Sequence, residues 1–352
     1  ASKNNISILK IVETIEYFTS IKAKIDIIDI GIPFDIDISK IEKLNLNTKI
    51  FNTNYYSDVI KKYCELILLK KLLISGSSGF VGSYFINKYK DKYEIKTFSF
   101  LKDDFESLDC SDVDVVFHLS ALVHQMGGAS CEEYERVNVI QTLQLAKKAK
   151  ENGVKQFVFM STVKVYGEET DSKYSENSIC NPEDDYGKSK LKAELELQKL
   201  EDEDFKVSII RTPIVYGYGV KANIKSLINL VNKVPLLPFG NIKNKRSMVY
   251  IGNLCHLVDE VITQEKSGIF LASDDEPLST TRLIELISKN LDKKIYLVKI
   301  PFFESLLKIL KPSFHKRLYG SLEVDNSITK EKLNLKNPYS VEDGIKLMIN
   351  GE

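Results

Sequence analysis

Lys71-Leu72-Leu73-Ile74-Ser75-Gly76-Ser77-Ser78-Gly79-Phe80-Val81-Gly82 is the stretch that decides the fold. A short apolar run reads as a strand ending at Ser75, glycines recur at every third position, and a helix-like stretch runs from Val81 to about Lys90. Glycines let the backbone turn tightly and approach a pyrophosphate, which then sits at a helix N-terminus. An ordinary strand–helix turn is the alternative. The strand before and the helix after are the context that a dinucleotide phosphate loop needs.

Downstream of Lys70 strand and helix patterns alternate, which argues for a parallel sheet covered by helices on both faces. Strands are expected at Tyr93–Phe100, Val113–Leu119, Gln156–Met160 and Val207–Ile210, and helices at Val137–Glu151 and Tyr186–Leu200. Val113–Leu119 is almost continuously apolar, as for a strand buried on both faces. Asn152-Gly153 reads as a C-cap. Further helices are expected near Asn223–Asn232, Asn253–Thr263, Thr280–Lys289 and Phe303–Leu310. The fold class is therefore α/β, a Rossmann-type doubly wound parallel sheet with a smaller C-terminal region. Residues 1–69 are an extra segment of open role, with helices expected at Ile6–Phe18 and Tyr56–Leu69 and a strand at Ile25–Ile30. Residues 70–212 form the dinucleotide-binding domain and 213–352 mainly the substrate-binding region.

The second decisive stretch is Tyr186-Gly187-Lys188-Ser189-Lys190. Tyr186 and Lys190 share one helix face. An ammonium beside a phenol favours the phenolate and makes the tyrosine a usable acid/base. Ser161 and Thr162 follow the strand ending at Met160, where a hydroxyl can face that helix. The bland alternative is a half-buried aromatic and a solvated lysine. With the glycine loop in order upstream, the set reads as a nicotinamide oxidoreductase acting on an alcohol or ketone.

Four other positions stand out. Ser120 and Ala121 leave room for a cofactor at a strand end. His118 reads as a satisfied core histidine before it reads as a ligand contact. Asn138 either faces the cofactor or caps a helix. Arg246 has the guanidinium geometry that grips phosphate, against the alternative of a solvated loop cation.

Lys+Arg and Asp+Glu number 49 each, so the net charge is zero and nothing points to nucleic acid. No basic block marks a membrane surface, no stretch reads as a signal peptide, and no uncharged run reaches the ~18 residues that span a bilayer. The 5 cysteines lack metal spacing and suit reduced thiols in a cytoplasmic protein. No metal is expected.

These motifs together resemble the extended short-chain dehydrogenase/reductases, the nucleotide-sugar epimerase/dehydratase family, from Lys70 to about Ile349. The resemblance rests on Gly76/Gly79/Gly82, His118-Leu119-Ser120-Ala121, Ser161-Thr162, Val165-Tyr166-Gly167, Tyr186-x-x-x-Lys190, Arg211-Thr212-Pro213, Val215-Tyr216-Gly217 and Arg246 with Val249-Tyr250-Ile251. It implies Thr162, Tyr186 and Lys190 as catalytic residues. It implies NAD or NADP held by Gly76, Ser78, Gly79, Phe80, Val81, Gly82, Leu119, Ser120, Ala121, Asn138, Ser161, Tyr186, Lys190 and Pro213. A UDP-sugar would meet Thr162, Asn223 and Arg246. Gly217–Asn223, Pro235–Gly240 and Leu318–Asp325 are similar to bacterial polysaccharide-cluster enzymes that are UDP-glucose 4-epimerase-like, some of them UDP-4-keto-6-deoxyhexosamine reductases. C4 chemistry in surface-polysaccharide sugar synthesis follows as the expectation, with the reductase as its alternative and a non-catalytic dinucleotide-binding scaffold as another. Family members often dimerise through the YxxxK helix, and Leu191, Leu195 and Leu197 permit that.

Three departures qualify the carry-over. Many NAD enzymes carry an acid for the ribose at the position about eighteen residues after Gly82. Here Ser99-Phe100 stand at that place, and Lys102 leans toward NADP. Phe100–Asp112 is short for a helix and a further strand, so the adenine side is expected to be open. Ile214 stands where many epimerases place an asparagine, and Thr162 is followed by Val163-Lys164 rather than the acidic pair of dehydratases.

Overall fold

The computed structural model describes residues 69–123, 129–170 and 172–351. The elements expected in residues 1–68 lie outside them. The chain divides into two compact units, residues 1–70 and 71–352.

The second unit is built on a six-stranded, wholly parallel sheet: β1 (Lys71–Ser75), β2 (Glu94–Phe98), β3 (Val115–His118), β4 (Gln156–Thr162), β6 (Lys206–Thr212) and β10 (Gly268–Leu271). Its order is β10-β6-β4-β3-β1-β2. Alternating side chains along each strand feed two separate cores. Leu72, Ile74, Val115, Phe117, Val158 and Ile210 pack on one face with Phe85 of α1 (Phe80–Tyr89). Leu73, Val116, Phe157, Phe159 and Ile209 pack on the other, beneath Leu145 and Ala149 of α3 (Gln141–Glu151) and Ala193 and Leu197 of α4 (Asp185–Gln198). A short α2 (Cys131–Tyr134) and a π-helical turn (Glu135–Ile140) lead into α3. Residues expected as one helix from Val137 are thus two helical forms.

Between β2 and β3 the chain forms only turns, so β2 is the edge strand. β1 is flanked by β2 on one side and β3 on the other, which sets the crevice of a doubly wound sheet at its carboxyl end.

The C-terminal stretch contains α5 (Ala222–Lys233), α6 (Ile251–Thr263), α7 (Thr280–Asn290), α8 (Phe303–Leu310), α9 (Pro312–Tyr319), α10 (Ser327–Leu333) and α11 (Val341–Asn350). It does not hold a core of its own. Tyr216, Ile224, Leu254, Ile284 and Ile345 join the cluster that contains Leu72 and Phe117. Three small parallel pairs lock it down: β7 (Ile214–Tyr216) with β9 (Met248–Tyr250), β8 (Leu236–Leu237) with β11 (Tyr296–Leu297), and β5 (Lys173–Tyr174) with β12 (Glu323–Val324). The last pair ties the loop after β4 to the far end of the chain. No helix among the described residues is long and apolar enough to cross a membrane.

Candidate active site

The glycine loop is held by contact distances rather than by hydrogen bonds alone. Gly76 adopts φ +73°, and a Cβ there would meet the backbone nitrogen of Ser120 at 2.8 Å, so the turn after β1 lies directly on the strand end after β3. A Cβ at Gly82 would sit 2.6 Å from the Gly76 carbonyl oxygen. Gly79 is the exposed N-cap of α1, and no side chain caps that helix. Such a bare, glycine-walled helix N-terminus fits a dinucleotide pyrophosphate.

A chain of hydrogen bonds runs from this loop to α4. Ser75 Oγ lies 2.6 Å from His118 Nδ1, and His118 Nε2 lies 2.9 Å from Thr142 Oγ1. The Thr142 hydroxyl donates to the Asn138 carbonyl at 2.8 Å, so it accepts from His118, which fixes the Nε2–H tautomer and leaves Nδ1 to accept from Ser75. His118 is buried, and its reading as a satisfied core histidine matches these partners. Burial, with Lys190 nearby, pushes its pKa down to about 3. The group binds its proton more weakly folded than unfolded, so stability is intact above the unfolded pKa of ~6.5 and declines as pH falls toward 3. Lowering the pH from 7 to 4 is expected to remove about 3 kcal/mol through this residue. Urea titrations at both pH values check this, with His118→Gln expected to flatten that part of the slope.

Asn138 is buried in the π-helical turn, a form concentrated at functional sites. Its Oδ1 accepts from the Leu122 amide at 2.8 Å. Its Nδ2 donates to the Leu122 carbonyl and to Ser189 Oγ, both at 3.0 Å. Ser189 in turn donates to the Tyr186 carbonyl at 2.9 Å. The side chain of Asn138 is therefore engaged with the protein. It clamps the loop after β3, carrying Leu119, Ser120 and Ala121, to the first turn of α4.

That first turn carries the second set. Asp184 caps α4, accepting from the Gly187 amide at 2.7 Å, and its other oxygen takes Lys164 Nζ at 2.5 Å. Tyr186 is half-buried, with its ring 6.3 Å from that of Tyr134. Lys190, one turn on, is buried, donates to the Met160 carbonyl at 2.8 Å and lies 4.3 Å over the Phe159 ring. Burial draws its pKa down to about 7, against a smaller upward pull from Glu194. Burial also drives the Tyr186 phenol above its ordinary range, assisted by Asp184 and Tyr134. The spacing predicts help from Lys190, whose ammonium is instead engaged by the Met160 carbonyl. Thr162, at the end of β4, is buried, and its Oγ1 accepts the Lys164 amide. Its strand neighbour in β6 is Thr212, followed by the buried Pro213.

Beneath this layer lies a group that the sequence did not disclose. Glu194 and Arg211 form a buried ion pair at 2.6 Å. Arg211 also donates to the Tyr166 hydroxyl at 2.6 Å, and Ser161 Oγ donates to Glu194. Ser161, expected at the cofactor, is thereby held from below.

Of the substrate residues, Arg246 is partly buried and donates from Nη1 to the carbonyls of Lys316 (3.3 Å) and Gly320 (3.2 Å). Burial lowers its pKa, against upward pulls from Glu169 and Glu168 and with a smaller downward one from Arg317. Arg317 donates to Asn223 Oδ1 at 3.5 Å, so Arg246, Arg317 and Asn223 come together. Two guanidiniums with mutual repulsion make a receptor for a multivalent anion. Arg317 escaped sequence reading, although it directly precedes the Leu318–Asp325 stretch singled out there. Ile214 is partly exposed at the start of β7. At the end of β2 the Asp103 carboxylate accepts the Ser99 amide at 2.7 Å, placing an acid where none was expected, beside the exposed Lys102. Among the described residues one metal-type grouping occurs, His256, Asp259 and Glu260, but Asp259 is already taken by Lys92 and Tyr93. Of the three leucines considered for dimerisation, Leu197 is fully buried and Leu191 packs on the Val163–Tyr166 cluster, which leaves Leu195 exposed.

A glycine loop at a doubly wound sheet and a YxxxK helix at the adjacent strand end define a dinucleotide-dependent oxidoreductase. The model of the NAD dependent epimerase/dehydratase family matches residues 72–271. The chain is 38% identical over 309 residues to UDP-glucose 4-epimerase of Vibrio cholerae, covering 79% of this chain and 94% of that one. It is 26% identical over 251 residues to the N-acetyl-alpha-D-glucosaminyl-diphospho-ditrans,octacis-undecaprenol 4-epimerase of Escherichia coli O157:H7, covering 66% and 75%. Among solved structures, UDP-N-acetylglucosamine 4-epimerase from Methanobrevibacter ruminantium M1 superposes with a TM-score of 0.65 at 22% identity, over 80% of this chain and 97% of that one. The chain belongs to the NAD dependent epimerase/dehydratase family. It is an enzyme of the extended short-chain dehydrogenase/reductase type, and its cofactor is NAD or NADP.

Proposed function

We propose that the enzyme inverts C4 of a UDP-hexose or UDP-hexosamine, the activity class that its Vibrio cholerae relative carries by name. The observation that carries this reading is Tyr186 and Lys190 one turn apart on α4, with Lys190 bonded to the Met160 carbonyl two residues before Thr162 in β4. When bound, the dinucleotide supplies a hydride acceptor and a positively charged ring near the tyrosine. Tyr186 takes the proton of the sugar 4-hydroxyl and returns it after the ring has turned over. Thr162 donates to the same oxygen and stabilises charge that develops there. Lys190 holds positive charge beneath the phenol. Arg246 and Arg317 grip the diphosphate, with Asn223 beside them. Closing over the sugar would strengthen each of these contacts by excluding water.

A second reading, reduction of a UDP-4-keto-6-deoxyhexosamine, draws on the departure at Ile214, which weakens the carry-over from UDP-galactose 4-epimerases. It uses only the return half of the same proton path. Lys102 and Asp103 at the end of β2 bear on the choice of dinucleotide: the cation favours a 2′-phosphate and the carboxylate a free ribose hydroxyl.

Absorbance and mass spectrometry of the cofactor released from freshly purified protein separate the readings. Retained NAD is the expected result and supports the epimerase. An empty protein that oxidises NADPH with a UDP-4-keto sugar supports the reductase. Failure to bind either dinucleotide overturns both.

A further inference from the structure

We propose that the outer face of α8, with the turn into α9, docks on the surface of an anionic lipid bilayer. The apolar residues of this helix share one broad face, opposite Glu304, Ser305 and Lys308, and the protein covers only part of it. Phe303 faces the protein and packs against Phe239 at 6.3 Å between ring centroids, and Leu307 one turn on is half-buried. The adjoining stripe is apolar and exposed: Leu306 is 54% exposed, Ile309 78% and Leu310 68%, with Phe302 at the N-cap at 86% and Phe314 at 44% just beyond. Leu306, Ile309 and Leu310 follow the spacing of one helix face and form a strip, with Phe302 at the N-cap before it. Water-facing apolar residues scattered singly need no partner, but a contiguous strip does.

Charge names the partner. Residues 293–317 carry Lys293, Lys294, Lys299, Lys308, Lys311, Lys316 and Arg317 against a single acid, Glu304, in a chain whose net charge is zero. Lys316 is taken by Glu183 and Glu168, whereas Lys293, Lys294, Lys299, Lys308 and Lys311 are exposed. An apolar strip flanked by lysines lies flat in a headgroup layer, with its stems buried and its ammonium groups on lipid phosphates. The linear sequence shows no basic block because the lysines are interleaved with apolar residues, and helix geometry alone separates the two. A helix of 8 residues does not span a bilayer, so the contact is superficial. The inference is independent of the reaction proposed above.

The test is co-sedimentation of the full chain with mixed phosphatidylglycerol/phosphatidylcholine vesicles and with phosphatidylcholine vesicles alone, at low and high salt. Binding to the anionic vesicles is expected to weaken roughly tenfold or more without the anionic lipid, in high salt, in Ile309→Ser/Leu310→Ser and in Lys308→Glu/Lys311→Glu. Turnover in solution is expected to be unchanged in both variants. The charge variant keeps the test decisive if the apolar one fails to fold. Absence of binding to the anionic vesicles overturns the proposal. So does a lipid-free dimer that Ile309→Ser/Leu310→Ser converts to monomer, which would assign the strip to a second copy of the chain.

Discussion

Replacing Tyr186 with phenylalanine is expected to lower turnover by about 10²- to 10⁴-fold while leaving dinucleotide retention and thermal stability nearly unchanged. The substitution removes one oxygen and keeps the ring that packs beside Tyr134. It should therefore act on proton transfer and little else. The residue is half-buried, and burial raises the pKa of its phenol, so an empty site holds a neutral phenol. Its use as a base depends on positive charge from Lys190 and from the bound cofactor. Lys190 itself is poised near 7 by burial, which makes its charge sensitive to what occupies the cleft. If Tyr186→Phe kept more than about a tenth of wild-type turnover, the phenol would not be the proton carrier. Measuring released cofactor in the same preparation separates lost chemistry from lost binding.

Much of this layer was legible in the sequence because it depends on local rules. Gly76 makes a turn that only a residue without a Cβ can make against Ser120, and Gly82 lies as closely on the Gly76 carbonyl. Val115–His118 is apolar because it is covered on both faces, and the run from Tyr186 to Lys190 is one helical turn. The absence of a helix and strand between Phe100 and Asp112 was also readable from length, since turns alone fit there. What escaped depends on which side chains meet across elements. Asn138 is turned onto Leu122 and Ser189 from within a π-helical turn, which no periodicity rule anticipates. Arg317 joins Arg246 only because α9 returns past the bridge that Arg246 makes with Leu278 and Leu322. The apolar residues of the C-terminal region complete the core begun by β1 and β3, because one face of the sheet would otherwise be bare.

The ion pair beneath the site is the other large expected effect. Glu194→Ala is expected to cost about 3–5 kcal/mol of stability in urea unfolding, comparable to a sizeable part of the total for a domain. Both partners are almost fully withdrawn from water, with side-chain exposures of 4% for Arg211 and 1% for Glu194. Arg211 places Nε and Nη2 on the carboxylate and Nη1 on Tyr166. Removing the carboxylate leaves a buried guanidinium with one neutral partner and frees the Ser161 hydroxyl, at the end of the strand that carries Thr162. Lys190 also loses the group that holds its charge up, so its proton should leave at a lower pH than in the parent. The double variant Glu194→Met/Arg211→Met removes both charges and fills the space, and it should be less destabilised than Glu194→Ala alone, since buried pairs replaced together by apolar groups often break even. A double variant as unstable as the sum of its single changes would show instead that the pair acts as two independent contacts, and the strut joining β4, β6 and α4 would have to be sought in packing.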